Sequence, residues 1–266
     1  MMRTLLLAAD WPVIVVYAAL GLIFGSFLNV CIVRLPLGES PVAPRSRCPR
    51  CRNQIAWYDN IPVLSWVFLG AKCRHCKLPI SVQYPLIELT VGMIWGLSGW
   101  MYSVSFKGLA GGLFGTIILG AAIMDARHER IPESYGVAGL AIGLVLGLFS
   151  GLDGLYAAVV GAVAGFGFLY GVESMGDHFF GTGASGNSYS RLMGIVGAFL
   201  GWPGALMVVL AGSAMTGVVS AILGLLRRRL VPFGIFLALA AGAIFVVGDA
   251  ITQWYLNFLH TASFGS

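Results

Sequence analysis

Charge is what this sequence lacks. Of its 266 residues only 10% are Asp, Glu, Lys or Arg, with 11 acids against 16 lysines and arginines. Soluble domains carry about 25% charged residues, so a water-soluble globule of this length is excluded. No long repeat and no low-complexity segment is present. Nor is there a Gly-rich nucleotide loop leading into a helix cap, so the 37 glycines are expected to let helices pack closely. A cleavable signal peptide is not expected either, because the first apolar segment is long and runs straight into a motif. What remains is apolar: 58% hydrophobic residues and a mean hydropathy of +0.87.

A membrane helix needs about 20 apolar residues. The candidate spans are Val13–Val33, Tyr84–Tyr102, Gly108–Met124, Ser134–Ser150, Leu155–Val172, Leu192–Trp202, Ala205–Leu226 and Phe233–Trp254. The sixth is too short to cross. Either it does not span, or it extends upstream into the polar Gly183–Ser190 stretch. With eight spans and both termini outside, fourteen of the sixteen basic residues fall in inside loops. Only Arg3 and Lys107 lie outside, and dropping the sixth span would put Arg227, Arg228 and Arg229 outside too. Basic residues favour cytoplasmic loops, so the expectation is an all-α polytopic protein of about eight transmembrane helices in a lipid bilayer. The net charge of +5 is placed by topology and gives no reason to expect nucleic acid.

One long hydrophilic insertion, residues 34–83, separates the first span (1–33) from the rest of the membrane domain (84–266). It holds Cys48-Pro-Arg-Cys51, then 21 residues, then Cys73-Arg-His-Cys76. Two such pairs place four thiolates tetrahedrally around one Zn²⁺. In a cytoplasmic, reducing loop, disulfides are the weaker reading. Four sulfurs leave no open coordination position, so the metal is expected to be structural. His75 reads as a bystander and Cys31 as a small packing residue.

Two carboxylates stand out in apolar surroundings. Asp125 ends the third span at the inside boundary, where a carboxyl group is costly and reads as functional by default. The competing reading is an interfacial acid paired with Arg127 or Arg130. Glu88 lies in the first turns of the second span, where a carboxylate needs a polar partner, and a structural bond to the loop is weighed equally with a part in a functional site.

The blocks around these residues resemble the type IV prepilin peptidase family. They are Gly25-Ser-Phe-Leu-Asn-Val30 with Arg34-Leu-Pro36, Trp57-Tyr-Asp-Asn-Ile-Pro-Val-Leu-Ser-Trp66 and Pro79-Ile-Ser-Val-Gln-Tyr-Pro-Leu-Ile-Glu88. Further along come Asp125-Ala-Arg-His-Glu-Arg-Ile-Pro132, Leu192-Met-Gly-Ile-Val-Gly-Ala-Phe-Leu-Gly-Trp202 and Val231-Pro-Phe-Gly-Ile-Phe-Leu-Ala238. The resemblance implies a bifunctional enzyme of the bacterial inner membrane, with zinc loop and active site facing the cytoplasm. It would cleave the basic leader of prepilins or pseudopilins and N-methylate the new terminus with S-adenosylmethionine. The implied peptidase is an intramembrane aspartyl protease, with Asp125 as its first catalytic aspartate.

The second aspartate motif, Gly-x-Gly-Asp-x-Lys in the family, corresponds here to Gly186-Asn-Ser-Tyr-Ser-Arg191. Tyr189 stands where the aspartate is expected. Three readings stay open. The chain is an inactive family member that binds prepilins or assembly partners without cutting them. Or Asp177, twelve residues upstream of Tyr189 on the same connection, supplies the second carboxyl. Or a serine takes over, Ser185 in Gly183-Ala-Ser-Gly186, which has a Gly-x-Ser-Gly form; this is the weakest of the three, because such a serine needs a base His on a neighbouring span and His178 is only seven residues away on a loop.

Overall fold

The computed structural model describes residues 11–180, 188–225 and 233–263. Among them no strand forms; two isolated bridges, Arg47 with Gln54 and Lys72 with Pro79, are the only extended pairings. The helices are α1 (Trp11–Arg34), a short α2 (Leu64–Phe68), α3 (Gln83–Tyr102), α4 (Phe106–His128), α5 (Glu133–Phe149), α6 (Leu152–Phe180), α7 (Ser188–Leu225) and α8 (Phe233–Ser263). Four stretches are long and apolar enough to cross a membrane: Trp11–Leu37, Phe106–His128, Leu152–Gly176 and Ser188–Ile222. Shorter apolar helices are Glu133–Phe149 and Phe233–Gly248. Many apolar side chains on these helices face outward, Val15, Val16, Ile23 and Val163 among them, as lipid-facing surfaces require.

The chain divides into two compact units, Met1–Gly120 and Ala121–Ser266. In the first, α1 packs against α3 around Trp95, which is fully buried. Its ring stacks on Phe24 at 4.8 Å, and its indole N–H donates to Thr116 Oγ1 at 2.9 Å. A buried Trp needs such a partner for its one donor.

In the second unit α6 packs along α7, and backbone touches backbone at the crossing. A Cβ on Gly161 would lie 2.1 Å from the Gly197 carbonyl oxygen, and one on Gly197 would lie 1.9 Å from that of Gly161. No other residue fits either place. This is the small-residue packing expected where lipid removes the hydrophobic incentive to associate.

Two expectations about helix bounds change. The short sixth span begins upstream, at Ser188, and its Ser188 and Ser190 side chains are buried against protein. The helix is then broken at Gly201 (φ 69°, ψ 176°), two residues before Pro203, which has no N–H to donate. The fifth span runs on past Val172 to Phe180, so residue 177 is in the last turn of α6 and not on a loop. Apolar content falls at Glu173, but backbone hydrogen bonding does not depend on side-chain polarity and Glu173 itself finds protein donors. The Arg227–Arg229 cluster lies outside the described residues.

Candidate functional site

The cysteine loop, wholly in the first unit, is built from two turns of one design. Cys48 N–H donates to Asn53 O (3.0 Å) and Arg52 N–H to Cys48 O (2.9 Å). Cys73 N–H donates to Leu78 O (2.9 Å) and Lys77 N–H to Cys73 O (3.0 Å). In each, the residue after the second cysteine is left-handed, Arg52 at φ 64° and Lys77 at φ 58°. This folds each pair so that both sulfurs face one point. All four sulfurs lie within 4.8 Å of one another, with Cys48 and Cys76 at 3.9 Å. A tetrahedral ion with metal–sulfur bonds of about 2.3 Å needs sulfur–sulfur edges of about 3.8 Å, so the four thiols can hold a metal ion. Backbone N–H groups of Cys76 and His75 point at Cys73 and hold its thiol down at about 7, whereas Cys76, despite the Leu78 N–H, is pushed up to about 11 by burial and the neighbouring sulfurs, so Cys73 is the readier thiolate of the two. All five cysteines are free, and Cys31 is buried on α1 as a packing residue.

The loop is tied down around this centre. Arg74 grips Asp59 with two bonds of 2.7 and 2.6 Å, and the guanidinium keeps the Asp59 carboxyl below its usual range. Ser65 Oγ donates to Tyr58 O, and the Trp66 indole N–H donates to Ile80 O. Val63 N–H donates to Glu88 Oε2 at 2.7 Å. Glu88 therefore makes the structural bond to the loop that was one of its two expected roles. Val63 holds a positive φ here (61°, with ψ −51°), a costly conformation for a β-branched residue.

The second unit holds the other carboxylate. Asp125, in the last turn of α4, is 0% exposed. Its Oδ2 accepts the backbone N–H of Gly234 at 3.1 Å, from the first turn of α8. Its Oδ1 is buried with no hydrogen-bond partner. Such an atom is costly unless something else meets it, since an unsatisfied buried acceptor costs about 1–3 kcal/mol and a charged one more. The approach of α8 depends on glycine: a Cβ on Gly234 would lie 2.4 Å from Asp125 Oδ2. Neither Arg127 nor Arg130 is the partner that holds the carboxyl.

The first turn of α7 gathers the rest. Ser188 Oγ accepts the N–H of Ile131, and Arg191 Nη1 donates to Ile131 O at 3.0 Å, which anchors the segment following Asp125. Tyr189 packs edge-on against Phe233 with centroids 5.3 Å apart. The Phe233 N–H faces the Tyr189 phenol oxygen, and Asp125, Glu129 and Glu173 all lie within electrostatic reach of it. Consecutive N–H groups of α8 thus serve Tyr189 and Asp125. Glu173 of α6 accepts the N–H of Tyr189 (3.2 Å) and the hydroxyl of Ser190.

The structure therefore places Tyr189, the residue at the expected second-aspartate position, beside Asp125. Position 177 lies four residues beyond Glu173 on α6, hence on the same face one turn on, while the Asp177 side chain and Gly183–Gly186 lie outside the described residues. Glu173 and Gly234 were not singled out from sequence. Glu173 carried the same signal as Asp125, a carboxylate at the end of an apolar run.

Comparison with known proteins places these units. Residues 19–102 match the bacterial peptidase A24 N-terminal domain, and residues 112–222 match the type IV leader peptidase family. The chain is 34% identical over 276 residues to the prepilin leader peptidase/N-methyltransferase of Stutzerimonas stutzeri, covering 90% of this chain and 92% of that one. It is 33% identical over 268 residues to the protein of that description in Neisseria gonorrhoeae, covering 90% and 93%. With that of Myxococcus xanthus it shares 42% identity over 211 residues, covering 78% of this chain but 62% of the relative. No solved structure matches the chain. The chain belongs to the type IV prepilin leader peptidase/N-methyltransferase family.

Proposed function

We propose that this protein removes the basic leader of prepilins or pseudopilins at the cytoplasmic face of the bacterial inner membrane and N-methylates the new terminus. The observation that carries the peptidase reading is Asp125: fully buried, with one oxygen held by Gly234 N–H and the other unpartnered. A carboxylate in that state suits a general base. Asp125 takes a proton from water while the oxygen of that water attacks the scissile carbonyl, and a second carboxyl protonates the departing amine. The second carboxyl comes from α6. Asp177 is the candidate by motif, and Glu173 is supported by its bonds to the first turn of α7.

Zn²⁺ is the ion we assign to Cys48, Cys51, Cys73 and Cys76, since thiolates at this spacing select it and the closed set makes it structural. S-adenosylmethionine, when bound, supplies an electrophilic methyl group to the freed amine. Eight spans, with the zinc loop inside, agree with the distribution of basic residues.

The test is a leader-cleavage assay on purified protein in membranes. Asp125→Asn is expected to lower cleavage by orders of magnitude, and full activity there sinks the aspartyl mechanism. Glu173→Gln and Asp177→Asn are read side by side, and the one that retains full activity is not the second carboxyl. A wild-type chain that captures prepilin without cutting it would identify a binding protein instead.

A further inference from the structure

The short helix α2 of the cysteine loop is inside out. Its serine, Ser65, is buried, while Leu64, Val67 and Phe68 are exposed, Phe68 by 84%. Positions 64, 67 and 68 follow the i, i+3, i+4 spacing, so the three form one apolar stripe. Hydrogen bonds set this rotation. Ser65 Oγ donates to Tyr58 O and accepts the N–H of Ile61, both at 3.0 Å, and the Trp66 indole N–H donates to Ile80 O at 3.1 Å. The same bonds fix residues 57–61 beside α2, and there Trp57 is 81% exposed. An exposed apolar patch rimmed by polar residues marks a contact surface.

Hydrogen bonds also set the height of the stripe. Val63, the residue before α2, donates its N–H to Glu88 in the second turn of α3 at 2.7 Å. Glu88 is level with Gly25 of α1, where a Cβ would lie 2.8 Å from Glu88 Cα. Gly25 lies inside the apolar stretch Trp11–Leu37, about 13 Å before Arg34 at 1.5 Å per residue. The start of α2 is therefore tied to the mouth of the membrane segment. Charge adds a second feature. Residues 34–83 hold eight lysines and arginines against two acids. Asp59 is taken up by Arg74, while Arg50, Arg52, Lys72 and Lys77 stand exposed.

We infer that the α2 face docks on the anionic phospholipid surface of the leaflet from which the loop emerges. Trp57, Leu64, Val67 and Phe68 enter the boundary between headgroups and acyl chains, and the loop's cations meet the phosphates. An apolar stripe flanked by basic residues is the pattern of an interfacial element, and aromatic rings favour that depth. Each cation near such a surface is worth about a fivefold change in occupancy. The flanking helices α1 and α3 hold the loop beside the bilayer, so no search is needed. A second copy of the chain brings the same positive charge to this face, and so does the basic leader of the proposed substrate; like charge disfavours both. Docking keeps the four-sulfur centre at headgroup level.

The experiment replaces Phe68 with photoreactive p-benzoylphenylalanine in the full-length, zinc-loaded chain. The protein is irradiated in nanodiscs of phosphatidylcholine alone or with added phosphatidylglycerol, and its adducts are identified by mass spectrometry. Phospholipid adducts are expected, at least ~5-fold more abundant with phosphatidylglycerol. The same replacement at Val16, an outward position on α1, reports plain acyl contact and should give equal yields in both membranes. Val67→Asp carries a charge into the stripe and is expected to lower the yield at position 68 by ~10-fold or more. Zinc content and melting temperature show that each variant is folded. Absence of lipid adducts at position 68 while position 16 yields them overturns the assignment. So do adducts to a second chain or to added prepilin in their place. Equal yields at position 68 in the two membranes overturn the anionic surface as the partner.

Discussion

The cysteine loop and the Asp125 site solve opposite problems. The loop collects its ligands from 29 residues of contiguous chain, Cys48 to Cys76, and two near-identical turns aim them. The Asp125 site draws on α4, α6, α7 and α8, and residues as far apart as 125 and 234 meet in it. Local geometry suffices for the first. The second depends on helices being packed at the right depth and rotation. A change in the loop should therefore act on metal and stability, whereas a change around Asp125 should act on turnover.

The largest effect is expected at the carboxylate itself. Asp125→Asn should lower leader cleavage by roughly 10²–10⁴-fold, the usual worth of a general base, with zinc content unchanged by metal analysis. Gly234→Ala follows. Its methyl group would meet the Asp125 carboxyl at 2.4 Å, so α8 or the carboxylate must shift. Cleavage should fall on the order of 10²-fold, as a misplacement of about 1 Å can cause, with kcat reduced more than KM rises. A lower melting temperature with kcat and KM unchanged would show that Gly234 serves packing only.

Cys51→Ser comes next and crosses to the other region. It should release the metal and lower the melting temperature of the loop, because binding free energy of a structural ion is folding free energy. Loss of cleavage, if seen, should be restored in proportion to the metal retained, which no Asp125 variant can show.

The smallest effect belongs to the Asp59–Arg74 pair at the surface of the loop. Arg74 depresses the Asp59 carboxyl, so any stability the pair adds is present at neutral pH, above the unfolded value. It is lost as pH falls through the still lower folded value. Solvent screens so exposed a pair, so Asp59→Asn should barely move the melting temperature at pH 7, and the difference should vanish in acid. A large shift at pH 7 would mean that the loop's order depends on this clamp.

Much of the loop was legible beforehand. Cys48, Cys51, Cys73 and Cys76 announce a four-sulfur centre through spacing alone, because two-residue gaps are what a tight turn needs to converge two sulfurs. Asp125 was legible as a costly charge in an apolar run. Glu173 was not separated from Asp177, since both follow the same run and only the fold shows Glu173 receiving the N–H of Tyr189 and the Ser190 hydroxyl. Gly234 sat unremarked inside Val231–Ala238, where a single glycine says nothing of what its missing Cβ avoids.

By itself, then, the sequence determined that this is a helical membrane protein, which segments are apolar, and that four thiols share one centre. These follow from composition and from spacing along a few residues, where the chain's own geometry limits the outcome. Tertiary structure alone decided that Asp125 meets Gly234, that Tyr189 stands beside it, and that α2, tied to Glu88 through Val63, turns Leu64, Val67 and Phe68 outward. Those depend on which faces of distant helices meet, and a pattern that repeats every 3.6 residues says which face is apolar without saying what it will touch.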